Sequence, residues 1–85
     1  MTKYAIRFTK EAKKDTEKLS PKLRKKLKEI LENVILEDPE SGKKLLADLK
    51  GFYSIRLSYK DRIIYSIDKQ EKIILIHKTK THYGD

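Results

Sequence analysis

Tyr4, Ile6 and Phe8 alternate with Ala5 and Arg7, the period-two pattern of a strand with one buried face, and predict a first strand over Lys3 to Phe8. Thr9 offers a hydroxyl to cap a helix from Lys10 to about Leu19, whose narrow apolar side is Ala12, Thr16 and Leu19. Ser20 followed by Pro21 starts a second helix, because a serine oxygen accepts from exposed N–H groups and proline suits the first helical position. Leu23, Leu27, Ile30, Leu31, Val34 and Ile35 then recur at three- and four-residue spacing and make one apolar stripe that ends before Asp38 and Pro39. The tight junction at Ser20 predicts a helical hairpin with both apolar sides laid on one face of a sheet.

Glu40 to Gly51 reads as a connection carrying a short helical piece around Lys44 to Leu49. Three strands follow. Tyr53, Ile55 and Leu57 alternate with Ser54, Arg56 and Ser58, while Ile63, Tyr65 and Ile67 alternate with Arg62, Ile64 and Ser66. Ile73 to Ile76 is a continuous apolar run, expected of a strand covered on both faces and so interior to the sheet. The predicted fold class is α+β in the order βααβββ, a small twisted antiparallel sheet with an N-terminal helical hairpin packed on one face. Residues 1–85 form a single domain, since 85 residues leave room for one core.

Composition narrows the function. There is no cysteine, so neither disulfides nor a thiolate metal site can hold the fold together. No apolar run approaches the roughly 18 residues of a membrane span, and Met1 to Lys10 lacks the apolar segment of a signal peptide; the cytoplasm is the expected location. The net charge is +8, from 21 Lys and Arg against 13 Asp and Glu, which favours a phosphate-rich or acidic partner without choosing among RNA, DNA, acidic protein and anionic lipid.

If the apolar positions of the second and third strands face the helices, Arg56 and Arg62 both project from the opposite, open face, close enough for one phosphate to bridge them. The ordinary alternative is that they are solvated or paired with Asp61 and Asp68. Beyond them, Lys78, Lys80, His82 and Tyr83 bring ammonium, imidazole and phenol groups to the end of the last strand. RNA cleaves itself through its 2′-hydroxyl when one group takes that proton, cations hold the phosphorane charge and an acid protonates the departing oxygen, and no metal or cofactor is needed. A terminal His and Tyr are otherwise packing or tail residues. The lysines of the helical hairpin, Lys25 and Lys26 among them, are either a solvated face with interleaved acids or a docking surface for ribosomal RNA. His77 is expected to be structural, with no second set of ligands for a metal, and three glycines with two histidines build neither a phosphate-cradling loop nor a Ser-His-Asp set.

Taken together, Tyr4-Ala5-Ile6-Arg7-Phe8-Thr9 with Ala12 and Asp15, Leu49-Lys50-Gly51-Phe52-Tyr53-Ser54-Ile55-Arg56-Leu57, Asp61-Arg62-Ile63-Ile64-Tyr65 and the closing His82-Tyr83-Gly84-Asp85 resemble the RelE/ParE toxins of type II toxin–antitoxin systems over nearly the whole chain. The resemblance is strongest to the RelE-like mRNA interferases. It implies a metal-free endoribonuclease that cuts mRNA in the ribosomal A site, with Arg56, Arg62, His82 and Tyr83 as catalytic residues. Arg62 sits where the family has its phosphate-binding arginine, Tyr83 near the family's C-terminal tyrosine, and His82 is similar to the histidine before it in the YoeB-like branch. Lys43 stands roughly where that branch has a glutamate base, and Ser54 where a lysine is common in the RelE-like branch. The lysines expected to meet RNA are Lys43, Lys44, Lys78, Lys80, Lys25 and Lys26. The implied partners are a cognate acidic antitoxin, in a hetero-oligomer, and the ribosome with its mRNA. Two other readings compete: a ParE-like inhibitor of DNA gyrase without nuclease chemistry, and a non-catalytic RNA-binding module whose affinity falls steeply with salt. The Arg56, Arg62, His82 and Tyr83 set favours the nuclease, because gyrase-directed members generally lack it.

Overall fold

The structure, a computed structural model, describes residues 3–80. The chain runs through β1 (Ala5–Phe8), α1 (Lys10–Glu17), α2 (Pro21–Ile30), a π-helical turn at Leu31–Ile35 and a 3-10 turn at Pro39–Ser41. It continues through β2 (Lys43–Lys44), a second 3-10 turn at Ala47–Leu49, then β3 (Phe52–Arg56), β4 (Arg62–Asp68) and β5 (Ile73–Lys78). One five-stranded sheet has the order β1-β5-β4-β3-β2. The expectation of antiparallel pairing holds from β2 to β5, whereas β1 joins parallel to β5, so the sheet as a whole is mixed. The long path between β1 and β5, through both helices and three strands, supplies the crossover that a parallel pair requires.

The helix starts fall where the caps predict. Thr9 accepts from the Ala12 amide at 3.0 Å and Ser20 from the Leu23 amide at 3.3 Å, with Pro21 in the first turn of α2. The first helix stops at Glu17, and Lys18 and Leu19 close it with amides donating to the Asp15 and Thr16 carbonyls, which leaves Leu19 buried. The second apolar stripe is interrupted at its end: Leu36 N–H donates to the Leu31 carbonyl at 2.9 Å, five residues back. Each residue of such a widened turn advances less around the axis. Leu31 and Ile35 therefore stay in the core while Val34, expected on the stripe, is 39% exposed.

Leu27, Leu31 and Ile35 of the second helical segment join Ala12 and Leu19, and meet Tyr53, Leu57, Ile63, Tyr65, Ile74 and Ile76 on one face of the sheet. Both helices thus cover the same face, and among the described residues no helix covers the opposite, open face. On the open face Ile73 and Leu75 are half-buried, so β5 is interior but not fully covered on both sides. The connection expected to be helical around Lys44 to Leu49 holds only the 3-10 turn at Ala47–Leu49 and, before it, β2.

Tyr65 ties this connection to the core. Its hydroxyl donates to the Pro39 carbonyl at 2.8 Å and accepts from the Gly42 amide at 3.2 Å, while its ring stacks on Tyr53 at 5.4 Å. A Cβ at position 42 would stand 2.5 Å from that hydroxyl, so glycine is what permits the approach. Burial pushes the Tyr65 phenol from 10.0 up to about 12.

Tyr65→Phe leaves a half-buried carbonyl and amide without their partner, and a loss of about 1–3 kcal/mol is expected in urea denaturation near neutral pH. A phenol whose folded pKa is raised adds stability that is complete below the unfolded pKa and lost as pH rises through the folded one. Wild-type stability should therefore fall between pH 10 and about 12 by more than that of Tyr65→Phe. Parallel curves for the two proteins would remove the buried phenol from the account.

Candidate nucleic-acid interface

The open face is ordered by the turn between β3 and β4. Leu57 and Ser58 amides donate to the Asp61 carbonyl at 2.9 and 3.1 Å, the Asp61 amide donates to Ser58 Oγ at 3.2 Å, and the Ser58 hydroxyl donates to Asp61 Oδ2 at 3.2 Å. Asp61 is buried, with its backbone and Oδ2 engaged in this turn and Oδ1 without a hydrogen-bond partner among the described residues. The register that results sets Tyr53 opposite Tyr65, Ile55 opposite Ile63, and Arg56 directly opposite Arg62. Alternation then puts both guanidinium groups on the face away from the helices.

The two acids that sequence offered as their partners are used elsewhere. Asp68 Oδ1 accepts from the Gln70 and Glu71 amides, each at 3.0 Å, in the turn leading to β5. Among the described residues no carboxylate forms an ion pair with Arg56 or Arg62; the ion pairs are Lys69 with Glu40 and Lys78 with Glu11. Arg56 is exposed and Arg62 half-buried. Lys43 of β2 lies opposite Ser54 and brings a third cation to the same face. Arg62, Lys43 and Ser54 line a recess of about 270 Å³ together with Leu45, Leu46 and Leu49. Arg7 of β1, opposite Leu75, extends the positive face to the other edge. A surface with several cations and no paired acid can take a phosphate through bidentate guanidinium contacts.

Other residues expected at the site are placed apart from it. Lys44 lies opposite Tyr53 and so alternates to the other side of β2 from Lys43. Lys78 pairs with Glu11 of α1, and that contact holds the Glu11 carboxyl below its usual range. Lys25 and Lys26 sit in the helical layer, where they line a groove with Lys22, Leu23, Glu29, Ser58 and Tyr59. Lys80 is exposed at the end of the described chain. His82 and Tyr83 lie outside the described residues. The root of their segment is fixed, because Thr79 is fully buried against α1: the Thr16 hydroxyl donates to the Ala12 carbonyl at 2.8 Å, leaving Thr79 to donate to Thr16 Oγ1 at 3.0 Å.

Two features escape a reading of the sequence. Ser54 is only 4% exposed and its hydroxyl has no hydrogen-bond partner, although alternation assigns it to the open face. His77 is also on that face, with Nε2 2.8 Å from Ser66 Oγ and its ring 4.6 Å from that of Phe52; burial lowers its pKa, so the ring is neutral at pH 7. The alternation of Phe52, Ser54 and Arg56 carried the signal for the first, and Phe52 opposite Ser66 for the second. Among the described residues no group of three His, Asp or Glu is placed to hold a metal ion, and no helix is long and apolar enough to cross a membrane.

Comparison with known proteins agrees with this geometry. The family model described as "ParE toxin of type II toxin-antitoxin system, parDE" matches residues 6–82. The fold is similar to a chain of the RelBE2 toxin–antitoxin complex from Mycobacterium tuberculosis, at 29% identity over 95% of this chain and 99% of that one, with a TM-score of 0.83. It is similar to a chain of the YoeB–YefM complex from Staphylococcus aureus, at 31% identity over 96% and 100%, with a TM-score of 0.68. The intact RelBE toxin–antitoxin complex of E. coli contains a third similar chain, at 25% identity over 92% and 95%, with a TM-score of 0.79. A search of curated protein sequences gives no significant match.

Like charges directly opposite each other weaken a hairpin. Arg56→Thr is expected to raise stability at low salt by about 0.2–1 kcal/mol, with the gain shrinking at high salt as the repulsion is screened. Thermal melts of the two proteins at both ionic strengths check this. A variant less stable than wild type at low salt would mean that the arginine pair is already compensated.

Proposed function

The chain belongs to the RelE/ParE superfamily of toxins of type II toxin–antitoxin systems, and we propose that within it the chain is a ribosome-dependent endoribonuclease that cuts messenger RNA in the A site. The observation that carries this reading is the direct opposition of Arg56 and Arg62 on an open face where no carboxylate pairs with them. In RNA cleavage of this kind the 2′-oxygen attacks the adjacent phosphorus, an O2′–P bond forms and the P–O5′ bond breaks. One fragment keeps a 2′,3′-cyclic phosphate and the other a 5′-hydroxyl. The 2′-hydroxyl proton must be removed and a proton supplied to the departing 5′-oxygen.

Arg56 and Arg62 hold the charge that develops on the phosphorane, which is where fixed donors act most strongly. His82 and Tyr83 carry the proton transfers in this proposal, presented by a segment whose base is anchored at Thr79. Lys43 attracts the RNA backbone on the open face, Lys44 and Lys80 add long-range attraction from outside it, and Lys25 and Lys26, on the other side of the sheet, dock on ribosomal RNA. The ribosome is required because the open face of this small domain is too shallow to orient an RNA chain alone. The proposed protein partner is an acidic antitoxin, drawn to a net charge of +8 and folding over the toxin surface as it binds. The similar RelE and YoeB chains are each found in a toxin–antitoxin complex.

A second reading is favoured by the match to the ParE model: inhibition of DNA gyrase without nuclease chemistry. A cell-free translation reaction separates the two. Added protein should stop translation and cut mRNA only when ribosomes are present, and Arg62→Ala should reduce the cleavage rate by about 100-fold or more, whereas Lys25→Ala changes it little. Cutting of naked RNA at the same rate contradicts ribosome dependence, equal small losses in both variants contradict the arginine site, and intact mRNA with gyrase-linked DNA breaks would favour the second reading.

A further inference from the structure

Ser54 is the one buried side chain on the open face whose hydrogen-bonding group is left unused among the described residues. A buried hydroxyl without a partner costs stability, and an alanine of the same backbone conformation would avoid that cost. Ser54 lines a recess, its hydroxyl buried at the recess wall, and the remaining walls are of two kinds. Lys43 and Arg62 supply positive charge on one side, and Leu45, Leu46 and Leu49 supply an apolar surface on the other. Leu46 is 80% exposed, a large apolar side chain presented to solvent beside two cations.

This pairing of a cationic, hydroxyl-bearing wall with an apolar one matches the two halves of a nucleotide. A phosphate needs donors and positive charge, and the flat face of a base needs an apolar platform. An isolated phosphate would make no use of the leucines, and an apolar side chain would leave Lys43, Arg62 and Ser54 unpaired. We propose that the recess between Lys43, Ser54 and Arg62 and the leucines of the β2–β3 connection is a subsite for a single ribonucleotide of the RNA chain. Its phosphate is held by Lys43 and Arg62 with the Ser54 hydroxyl donating to one oxygen, and its base is laid against Leu46. The subsite rests on the ribonuclease reading and adds to it a means of seating the nucleotide whose 3′-phosphate is the scissile phosphate held by Arg56 and Arg62. Because the apolar wall carries no hydrogen-bonding group directed at a base edge, the subsite accepts any base and prefers the larger purines.

Full-length protein is titrated with adenosine 3′-monophosphate and, separately, with inorganic phosphate, by calorimetry or by amide shifts. Adenosine 3′-monophosphate should bind about tenfold tighter than phosphate, the equivalent of one well-placed contact. Leu46→Ser should abolish that preference and leave phosphate binding unchanged; Leu46 is too exposed for the fold to depend on it. Ser54→Ala should weaken both ligands several-fold while raising the melting temperature, an opposition of signs that a structural role for Ser54 would not produce. Equal binding of nucleotide and phosphate, or Ser54→Ala with unaltered affinity, overturns the subsite. So does a leucine-containing acidic peptide that outcompetes the nucleotide, which would assign the recess to a protein partner. A protein that shows the nucleotide preference yet never cuts mRNA on ribosomes retains the subsite and loses the ribonuclease reading. One that cuts mRNA without the preference does the reverse.

Discussion

A slip of one residue between β3 and β4 would turn Tyr53, Ile55 and Leu57 out of the core and bury Arg56, so both layers of the molecule rest on the turn that sets this pairing. Asp61 and Ser58 set it, through four hydrogen bonds among themselves and the Leu57 amide. The same register stacks Tyr53 on Tyr65 and allows the Tyr65 hydroxyl to reach Pro39 and Gly42. That contact draws the chain after the helices onto the sheet edge, where β2 places Lys43 opposite Ser54. Core packing and the composition of the open face are therefore consequences of one turn.

What the turn builds on the open face opposes stability locally. Two arginines are set directly opposite each other, their nearby acids are spent in the two β-turns, and a serine is buried with its hydroxyl unused. Such features persist where the surrounding structure over-determines them, and each would be relieved by an anion. The hydrophobic contacts of the opposite face, among them fully buried Leu57, Ile63, Tyr65, Ile74 and Ile76, hold the strands in place while this face remains uncompensated. Seen this way, the basic composition is not spread evenly in its effect. Lys78 is engaged with Glu11, Lys69 with Glu40, and the helical lysines lie on the far side of the sheet.

Much of this was legible in the sequence, because period-two alternation around Arg56 and Arg62 states which face each side chain takes and Thr9, Ser20 and Pro21 mark helix starts by their capping chemistry. Features that depend on partners distant in the chain were not. The direction of β1 is decided by its neighbour β5, about seventy residues on. Lys43–Lys44 has no periodicity and becomes a strand only by pairing with β3. The π turn follows a stretch whose spacing is that of an ordinary helix, and Val34 leaves the stripe for that reason. Ser54 was assigned to the right face but not to its burial, since the leucines beside it come from a connection that reads as carrying a short helical piece, with nothing to place it against the sheet. The local chemistry of His82 and Tyr83 was read from residue type and resemblance, and lies outside the described residues.

The claim at the centre of this account is that Arg56 and Arg62 act on one phosphate as a unit. Single-turnover cleavage of mRNA on programmed ribosomes, measured for wild type, Arg56→Ala, Arg62→Ala and the double variant, tests it through the coupling between the two positions. The account predicts strong non-additivity, with the double variant little slower than Arg62→Ala alone. Rate losses that multiply, so that the double variant falls by the product of the two single effects, would show two independent cations and contradict it.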